Sequence, residues 1–558
     1  MNFASATQTF LSWLLLLSPA YSQVVGGEVQ TYFKALGAAP GDLLGSAVAG
    51  AGDANGDGVP DFLVSAPKAD FGGISDCGTV SLISGLDGSI LQRWHGDATA
   101  SGFGSALAGI GDINGDGFDD CAIGAPEAGG GGKVLALSGI DGSLIFTWDG
   151  QPNSSFGISI SSAGDYDVDG FPDVIVGAPW DQDGGAAYVY SGRDGANLTT
   201  VHGRQFAYTI SGFGQSVSSA GDVNGDAISD LIVGARDEID DVSGGGKAFV
   251  FSGVTGHILH RFKWNQWGSS FGASVDGSID VTLDQCSELI IGDPSRNQVF
   301  VYSGKTGEIL HRFIRNSSSH MRFGFVAKGI TDATGDGIAD WLIGWPENGY
   351  ETGVGWARDA GSIEVVSGVD GSTFWRVDGG FEGMKFGSSM EEVGDLNGDG
   401  ISEIIVGAPL HDSPNGAVDA GGAYVISFRP YLHASNGVVS ATDGGSIQYT
   451  IDFPEHAAGF EYKILVSGAG TGPVWHGTMI PLNLDALVYQ SFAGLYPFSN
   501  ANFHGVLDTN GDATATATIS ANSFFGLVGF TFYQAAIASP VGQLPAYSSV
   551  PVSITIVP

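Results

Sequence analysis

Short apolar runs recur along this chain, and each follows a loop rich in aspartate and glycine. Residues 111–126 read GDINGDGFDDCAIGAP, where an acidic loop leads directly into an apolar run. Runs of four to six apolar residues bounded by Gly, Asp and Pro are typical of buried β-strands. The pattern therefore predicts an all-β protein with many tight turns.

The acidic loop and its apolar run recur seven times in one register. The copies begin at Gly52, Gly111, Gly164, Gly221, Ile279, Thr331 and Gly394, and their first acidic residues are 52 to 63 positions apart. Six copies follow a Phe-Gly pair, and the first follows Leu44-Gly45 instead. Six are followed by a strand-like segment and a turn such as SGIDG. Each unit thus indicates four short strands, and seven units predict a seven-bladed β-propeller.

The phase of the repeats predicts how the ring closes. The segment VQTYFKAL before the first unit corresponds to the last strand of a unit, and the seventh unit ends at a third strand, AGGAYVISF. One blade is therefore expected to contain strands from both ends of the propeller, which removes exposed strand edges.

Each acidic loop places oxygen-bearing side chains at its positions 1, 3, 5 and 9. Hard oxygen donors in a tight loop suit Ca²⁺ rather than zinc or copper, and a glycine at position 6 permits the bend. The alternative is a metal-free turn rich in Asp and Asn. The predicted ligands are Asp53, Asn55, Asp57, Asp61; Asp112, Asn114, Asp116, Asp120; Asp165, Asp167, Asp169, Asp173; Asp222, Asn224, Asp226, Asp230; Asp332, Thr334, Asp336, Asp340; Asp395, Asn397, Asp399 and Glu403.

Two loops depart from this pattern. The fourth has Ala227 at position 6. The fifth carries Asp280, Thr282, Asp284 and Glu288 with Gln285 in place of the glycine, so tight metal binding is not expected there.

The Phe-Gly pair, the Asp-x-Asn-x-Asp-Gly-x-x-Asp loop and the Gly-Ala-Pro block together resemble FG-GAP repeats over about residues 24–428. Such repeats build the seven-bladed propeller at the head of integrin α subunits and occur in secreted bacterial proteins. The resemblance implies a propeller, calcium binding, extracellular placement and often adhesion, but no reaction.

The net charge and the lack of catalytic motifs argue against several classes of function. The net charge of −39 excludes a nucleic-acid partner and disfavours an anionic membrane surface. The acidity reflects either a solubilising surface or carboxylates held near cations. No histidine cluster or nucleophile motif indicates an enzyme.

The two ends of the chain differ from the repeats. Residues 1–22 resemble a secretory signal peptide, with a buried N-terminal helix as the alternative, and no later apolar segment is long enough to span a membrane. The propeller is predicted over 23–429. Alternating strand-like runs over 430–558 predict a small antiparallel β-sandwich.

Alternation of strand direction places the acidic loops and the SGxDG turns on one face of the propeller. Longer loops after Gly-Ala-Pro lie on the other face, where Trp180, Trp345, Tyr350 and Trp356 either form a contact surface or cover the blades. The sequence favours a secreted or cell-surface module that binds an extracellular protein or glycan. The alternative is a secreted calcium-dependent hydrolase or lyase acting on polysaccharide or lipid.

Overall fold

The computed structural model describes residues 27–557 except 204–211, 238, 241–242, 265, 278–279, 316–320, 335–337, 353–354, 431, 435–437, 441–444, 454–457, 468–472, 476–478, 482–502, 510–511, 520–530, 540–546 and 549–551. The predicted signal peptide lies outside these residues. Within them, no helix has the length and apolar character needed to cross a membrane.

Seven four-stranded antiparallel sheets form the blades, as predicted. Blades 1 to 3 consist of β2 (Val48–Gly52), β3 (Asp61–Ala66), β4 (Thr79–Ile83), β5 (Ile90–His95); β6 (Ala106–Gly111), β7 (Asp120–Ala125), β8 (Lys133–Leu137), β9 (Leu144–Asp149); and β10 (Ser159–Gly164), β11 (Asp173–Ala178), β12 (Ala186–Tyr190), β13 (Asn197–His202).

Blades 4 to 6 follow the same plan, and two of them carry an extra hairpin between the second and third blade strands. They consist of β14 (Phe213–Gly221), β15 (Asp230–Ala235), β18 (Lys247–Phe251), β19 (Ile258–Lys263); β20 (Ser274–Gly277), β21 (Leu289–Asp293), β22 (Gln298–Tyr302), β23 (Ile309–Ile314); and β24 (Ala327–Ile330), β25 (Asp340–Trp345), β28 (Ser362–Val366), β29 (Thr373–Asp378). The extra hairpins are β16 (Ile239–Asp240) with β17 (Ser243–Gly244) in blade 4, and β26 (Tyr350–Thr352) with β27 (Gly355–Ala357) in blade 6. Short 3₁₀ turns span Ala128–Gly130 and Pro294–Arg296.

Blade 7 closes the ring in the predicted way. It contains β30 (Ser389–Gly394), β31 (Glu403–Ala408) and β32 (Gly422–Pro430), and its outer strand is β1 (Gly27–Leu36) from the other end of the propeller. The strands β1 and β32 pair antiparallel along their length. The outer edge of β32 is therefore hydrogen-bonded rather than exposed.

The repeated motifs meet where neighbouring blades touch. The six phenylalanines of the Phe-Gly pairs are all buried in the cores. A Cβ atom on Gly177, in the Gly-Ala-Pro block of blade 3, would lie only 2.0 Å from the carbonyl oxygen of Gly214, the Phe-Gly glycine of blade 4. In the same way, a Cβ atom on Gly407 of blade 7 would lie 2.0 Å from the carbonyl oxygen of Gly45 in blade 1. The glycine of the Gly-Ala-Pro block is thus required by the packing of one blade against the next.

The seven innermost strands surround a central cavity of about 820 Å³. Its lining is mostly glycine, alanine and serine. The charged exceptions include Asp276, Lys328 and Glu391, which come from the innermost strands of blades 5, 6 and 7.

The C-terminal region has two main sheets, which agrees with the predicted sandwich. One contains β33 (Leu432–Ala434), β35 (Gly445–Asp452) and β40 (Asp512–Ile519); the other contains β34 (Val438–Ser440), β36 (Glu461–Ser467), β39 (His504–Val506), β41 (Thr531–Ser539), β42 (Tyr547–Ser548) and β43 (Val552–Val557). A separate hairpin joins β37 (Pro473–Trp475) to β38 (Met479–Pro481). The hydroxyl of Tyr462 reaches the carbonyl of Thr514 across the two sheets at 3.5 Å. One pair, β34 with β43, is parallel, so the region is not antiparallel throughout.

Candidate metal centres

Each acidic loop is the turn between the first and second strands of a blade, and its backbone wraps around the position-1 carboxylate. In blade 2, the Asp112 carboxylate accepts hydrogen bonds from the backbone N–H groups of Gly115, Asp116 and Gly117 at 2.7, 3.1 and 2.8 Å. The Asn114 amide oxygen accepts a second bond from the Asp116 N–H at 2.9 Å. Asp53, Asp222 and Asp395 accept equivalent sets of bonds. The loops are therefore closely similar turns.

The position-9 carboxyl has a structural role that the sequence did not reveal. Asp120 begins β7 and is fully buried. Its carboxylate accepts the N–H of Ile113, within the same loop, at 3.1 Å and the N–H of Gly139, in the turn after β8, at 3.3 Å. Asp61, Asp173, Asp230 and Asp340 make equivalent pairs of bonds. This carboxyl thus joins the two turns of a blade that lie on this face.

Burial makes these carboxyl groups difficult to ionise. Burial, together with neighbouring carboxylates, raises the pKa of Asp61 and Asp120 to about 7 and that of Asp173 and Asp230 to about 6. The pKa of Glu288 rises to about 7 for the same reason, although Val281 N–H and the Thr282 hydroxyl oppose the change. A cation at the loop would remove this cost, because it favours the ionised form.

Positive φ angles at loop position 6 confirm the predicted bend. Gly117 has a φ of 92°, and Ala227 and Gln285 adopt 68° although they are not glycine. Position 4 is also left-handed, which the pattern of ligand positions did not predict. Most copies have glycine there, but Val168 has a φ of 61° and Leu283 has 58°. The loop geometry is kept even where it strains the side chain.

Among the loops that the structure describes in full, two bring three carboxylates to one point. One oxygen each from Asp165, Asp167 and Asp169 lies within 4.8 Å of the others, and the same holds for Asp280, Asp284 and Glu288. The second group lies in the fifth loop, which the sequence marked as the weakest. Its carboxylates converge despite the missing glycine, because Gln285 takes up the left-handed backbone.

The loops of blades 1 to 5 and 7 gather negative charge with little positive charge nearby. Among the described residues, only Arg193 and Lys305 place a charged nitrogen within 4.0 Å of these carboxylates, at 3.9 Å from Asp169 and 3.7 Å from Asp284. Carboxylate oxygens with so few counter-charges fit a hard cation. The donor set is therefore one that could hold a metal ion.

The sixth loop is described in part, since Asp336 lies outside the described residues. The Thr334 hydroxyl is buried and donates to the Asp332 carboxylate at 3.2 Å. The position-9 acid makes the same hydrogen bond as in the other loops, because Asp340 accepts the Ala333 N–H at 2.9 Å.

The loops between the second and third strands of each blade lie on the opposite face. Trp345 does not belong to a contact surface, because only 5% of it is exposed and the guanidinium of Arg376 lies 4.8 Å from its ring. It covers blade 6, which was one of the two predicted alternatives. Trp180 is the exposed ring, with 49% of its surface accessible. The side chains of Tyr350 and Trp356 lie outside the described residues.

Comparison with known proteins agrees with this geometry. The model of the FG-GAP repeat matches residues 103–137, 156–190 and 392–426. These three segments are therefore similar to FG-GAP repeats. Each match contains the acidic loop of one blade, namely blade 2, blade 3 or blade 7.

The chain is also similar to integrin alpha chains. It is 35% identical to integrin alpha-V of Gallus gallus over 34% of this chain and 20% of that one, and 39% identical to integrin alpha-7 of Rattus norvegicus over 25% and 13%. It therefore spans about a fifth or less of the length of these relatives. A solved structure, Sqt1 of Saccharomyces cerevisiae, has a TM-score of 0.44 and 13% identity over 72% of this chain and 99% of its own.

Proposed function

We propose that this chain is an exported β-propeller that binds calcium in its FG-GAP loops and an extracellular protein or glycan on its opposite face. In this proposal calcium is structural. The observation that carries the calcium assignment is the repeated loop, which gathers carboxylate and amide side chains beside a buried position-9 acid and, in two copies, brings three carboxylate oxygens within 4.8 Å of one another. Oxygen donors of this kind in an irregular cage suit Ca²⁺ better than Mg²⁺ or a transition metal.

The calcium ligands would be the residues at positions 1, 3, 5 and 9 of each loop. The third loop is the strongest candidate, because its four ligand positions are all aspartate and three of its carboxylates converge. Each ion would tie the first two strands of a blade together. Since the unfolded chain has no such cage, calcium would stabilise the fold by mass action, by about 2.7 kcal/mol per site at 100 times the Kd.

Calorimetry of the full chain, titrated with Ca²⁺ after treatment with a chelator, tests the calcium assignment. We expect at least five sites and a melting temperature that falls by more than 10 °C on chelation. Titration with Mg²⁺ is the control for ionic strength and should give weak heat. Absence of calcium binding with an unchanged melting temperature would contradict the proposal.

The binding role rests on the variable face. The loop after β11 presents the exposed Trp180, and blades 4 and 6 add hairpins on the same side. Rigid blades that carry variable loops are a common basis for ligand binding. The similarity to integrin alpha chains supports binding rather than catalysis.

Arrays of extracellular glycans and matrix proteins, probed with the full chain in calcium, test the binding role. Trp180→Ala should weaken any specific binding at least tenfold. Leu86→Ala is the matched control, because Leu86 is 57% exposed but lies in the turn after β4 on the face of the acidic loops. Equal loss in both variants would contradict a binding site on the variable face.

A further inference from the structure

Three metal-ligating side chains meet on the variable face, away from every acidic loop. Asp181 and Asp183 lie in the turn between β11 and β12, and His202 is the last residue of β13. One ligand atom from each lies within 4.8 Å of the other two. Backbone pairing holds the group together, because Ala186 at the start of β12 is the register partner of His202.

The Nδ1 atom of His202 is buried and has no hydrogen-bond partner. Asp181 Oδ1 lies 3.8 Å from this nitrogen, which is too long for a hydrogen bond. In blade 1, the histidine at the equivalent position has a hydrogen-bond partner for its Nδ1 atom. There His95 is paired with Thr79, whose hydroxyl lies 2.9 Å from the imidazole Nδ1. Blade 3 has Ala186 in place of that threonine, so the imidazole nitrogen is left beside the carboxylates.

Hydrogen bonds fix the position of the Asp181 carboxylate and of its turn. It is 7% exposed, and its Oδ2 accepts a hydrogen bond from the Tyr188 hydroxyl at 2.7 Å. The Gly185 N–H donates to the Asp181 carbonyl at 3.1 Å, and the Gly203 N–H donates to the Gly185 carbonyl at 2.8 Å. These bonds fix the turn against the end of β13. Carboxylates that bind metals are commonly oriented in this way, by a hydrogen bond from a residue that does not itself bind the metal.

We propose that Asp181, Asp183 and His202 bind a divalent transition-metal ion of the zinc class. One imidazole nitrogen and two carboxylate oxygens form a donor set that suits zinc and its neighbours, whereas calcium takes oxygen ligands. Three protein ligands leave a coordination position for water or for a donor atom of a bound partner. The site adjoins the exposed Trp180, so the ion lies where the variable face would meet a ligand.

Calorimetry with Zn²⁺ tests this site in the full chain, kept in excess Ca²⁺ so that oxygen-only sites are filled. We expect wild type to bind one more equivalent of zinc than His202→Gln, or to bind zinc at least tenfold more tightly. Asp181→Asn should show a similar loss. Titration with Co²⁺ should give visible absorption bands of a nitrogen-containing site in wild type, and His202→Gln should lack them.

The matched control is His95→Gln, which removes the equivalent imidazole of blade 1 and should leave zinc binding unchanged. Thermal melts in calcium confirm that each variant is folded. If wild type and His202→Gln bind zinc identically, or if His95→Gln loses as much as His202→Gln, the proposal is wrong. A wild type that binds no zinc, with His202→Gln merely less stable, would show that His202 forms an ion pair with Asp181 and would equally overturn the site.

Discussion

Val168 is the residue whose backbone conformation conflicts most with its side chain. It is β-branched, yet it occupies loop position 4 with a φ of 61°. Such a residue is rarely left-handed, because its Cβ substituents crowd the neighbouring carbonyl groups. Its side chain is 64% exposed and therefore contributes little to the core. The conformation is imposed by the loop, whose other copies mostly have glycine at this position.

Replacing Val168 with glycine should therefore stabilise the protein. We expect Val168→Gly to raise the free energy of unfolding by about 1 kcal/mol, measured by urea denaturation in calcium. The matched control is Val254→Gly, since Val254 is 61% exposed in the turn after β18 and lies outside the left-handed region. That change should lower stability by several tenths of a kcal/mol, because it only adds freedom to the unfolded chain. A loss of stability in both variants would contradict the strain argument.

At the scale of elements, the sequence predicted the blades because every unit repeats the same local chemistry. The apolar runs became second strands such as Asp120–Ala125, in which every residue is buried. The hairpins Ile239–Gly244 and Tyr350–Ala357 were not predicted, since they are insertions without a repeated signal. The link from Asp120 to Gly139 was missed as well, because it joins two turns that are 19 residues apart. The His202 group depends on strand register, which the repeat pattern does not reveal at that end of the blade.

Two aspartates of the second loop should respond differently to calcium. Asp120→Ala leaves the buried N–H groups of Ile113 and Gly139 without an acceptor, so it should lower stability by roughly 2 to 4 kcal/mol even in chelator. The loss should be larger in calcium, because a position-9 ligand is removed as well. Asp116 is exposed, and its replacement by alanine should cost stability mainly when calcium is present. Chemical denaturation of both variants in calcium and in chelator measures the difference. A calcium-independent loss of equal size in both would argue that the loop is a metal-free turn.

At the scale of the whole molecule, closure of the ring was predictable from the sequence, whereas the charged network in the central cavity was not. The phase of the repeats predicted that β1 would complete blade 7, because a missing strand at one end matches an extra strand at the other. The charged network in the central cavity was not predictable. It joins Asp276 of blade 5, Lys328 of blade 6 and Glu391 of blade 7, residues that are brought together only when these three blades pack side by side around the cavity.

This network gives a test of how the blades depend on one another. The Lys328 ammonium lies 3.0 Å from a Glu391 oxygen and 3.7 Å from an Asp276 oxygen, and Asp276 also accepts hydrogen bonds from the Ser218 hydroxyl and the Gly329 N–H. Burial raises the pKa of Asp276, and the lysine charge opposes that rise. Lys328→Met would leave two carboxylates facing each other in the cavity. Because Lys328 keeps some contact with solvent, we expect a loss of about 2 kcal/mol rather than the larger cost of a fully buried pair.

The dependence of this loss on pH separates a charge effect from a packing effect. Without the lysine charge, the pKa of Asp276 in the folded protein should rise further above its unfolded value. A carboxyl group with a raised pKa destabilises the folded state as pH increases, so the deficit of Lys328→Met should be largest at neutral pH and shrink towards pH 4. Lys133→Met is the control, because Lys133 lies 3.8 Å from the exposed Asp149 and should change stability by less than about 1 kcal/mol. Urea denaturation between pH 4 and pH 8 measures both variants, and a deficit of Lys328→Met that does not vary with pH would show that the lysine acts through packing rather than charge.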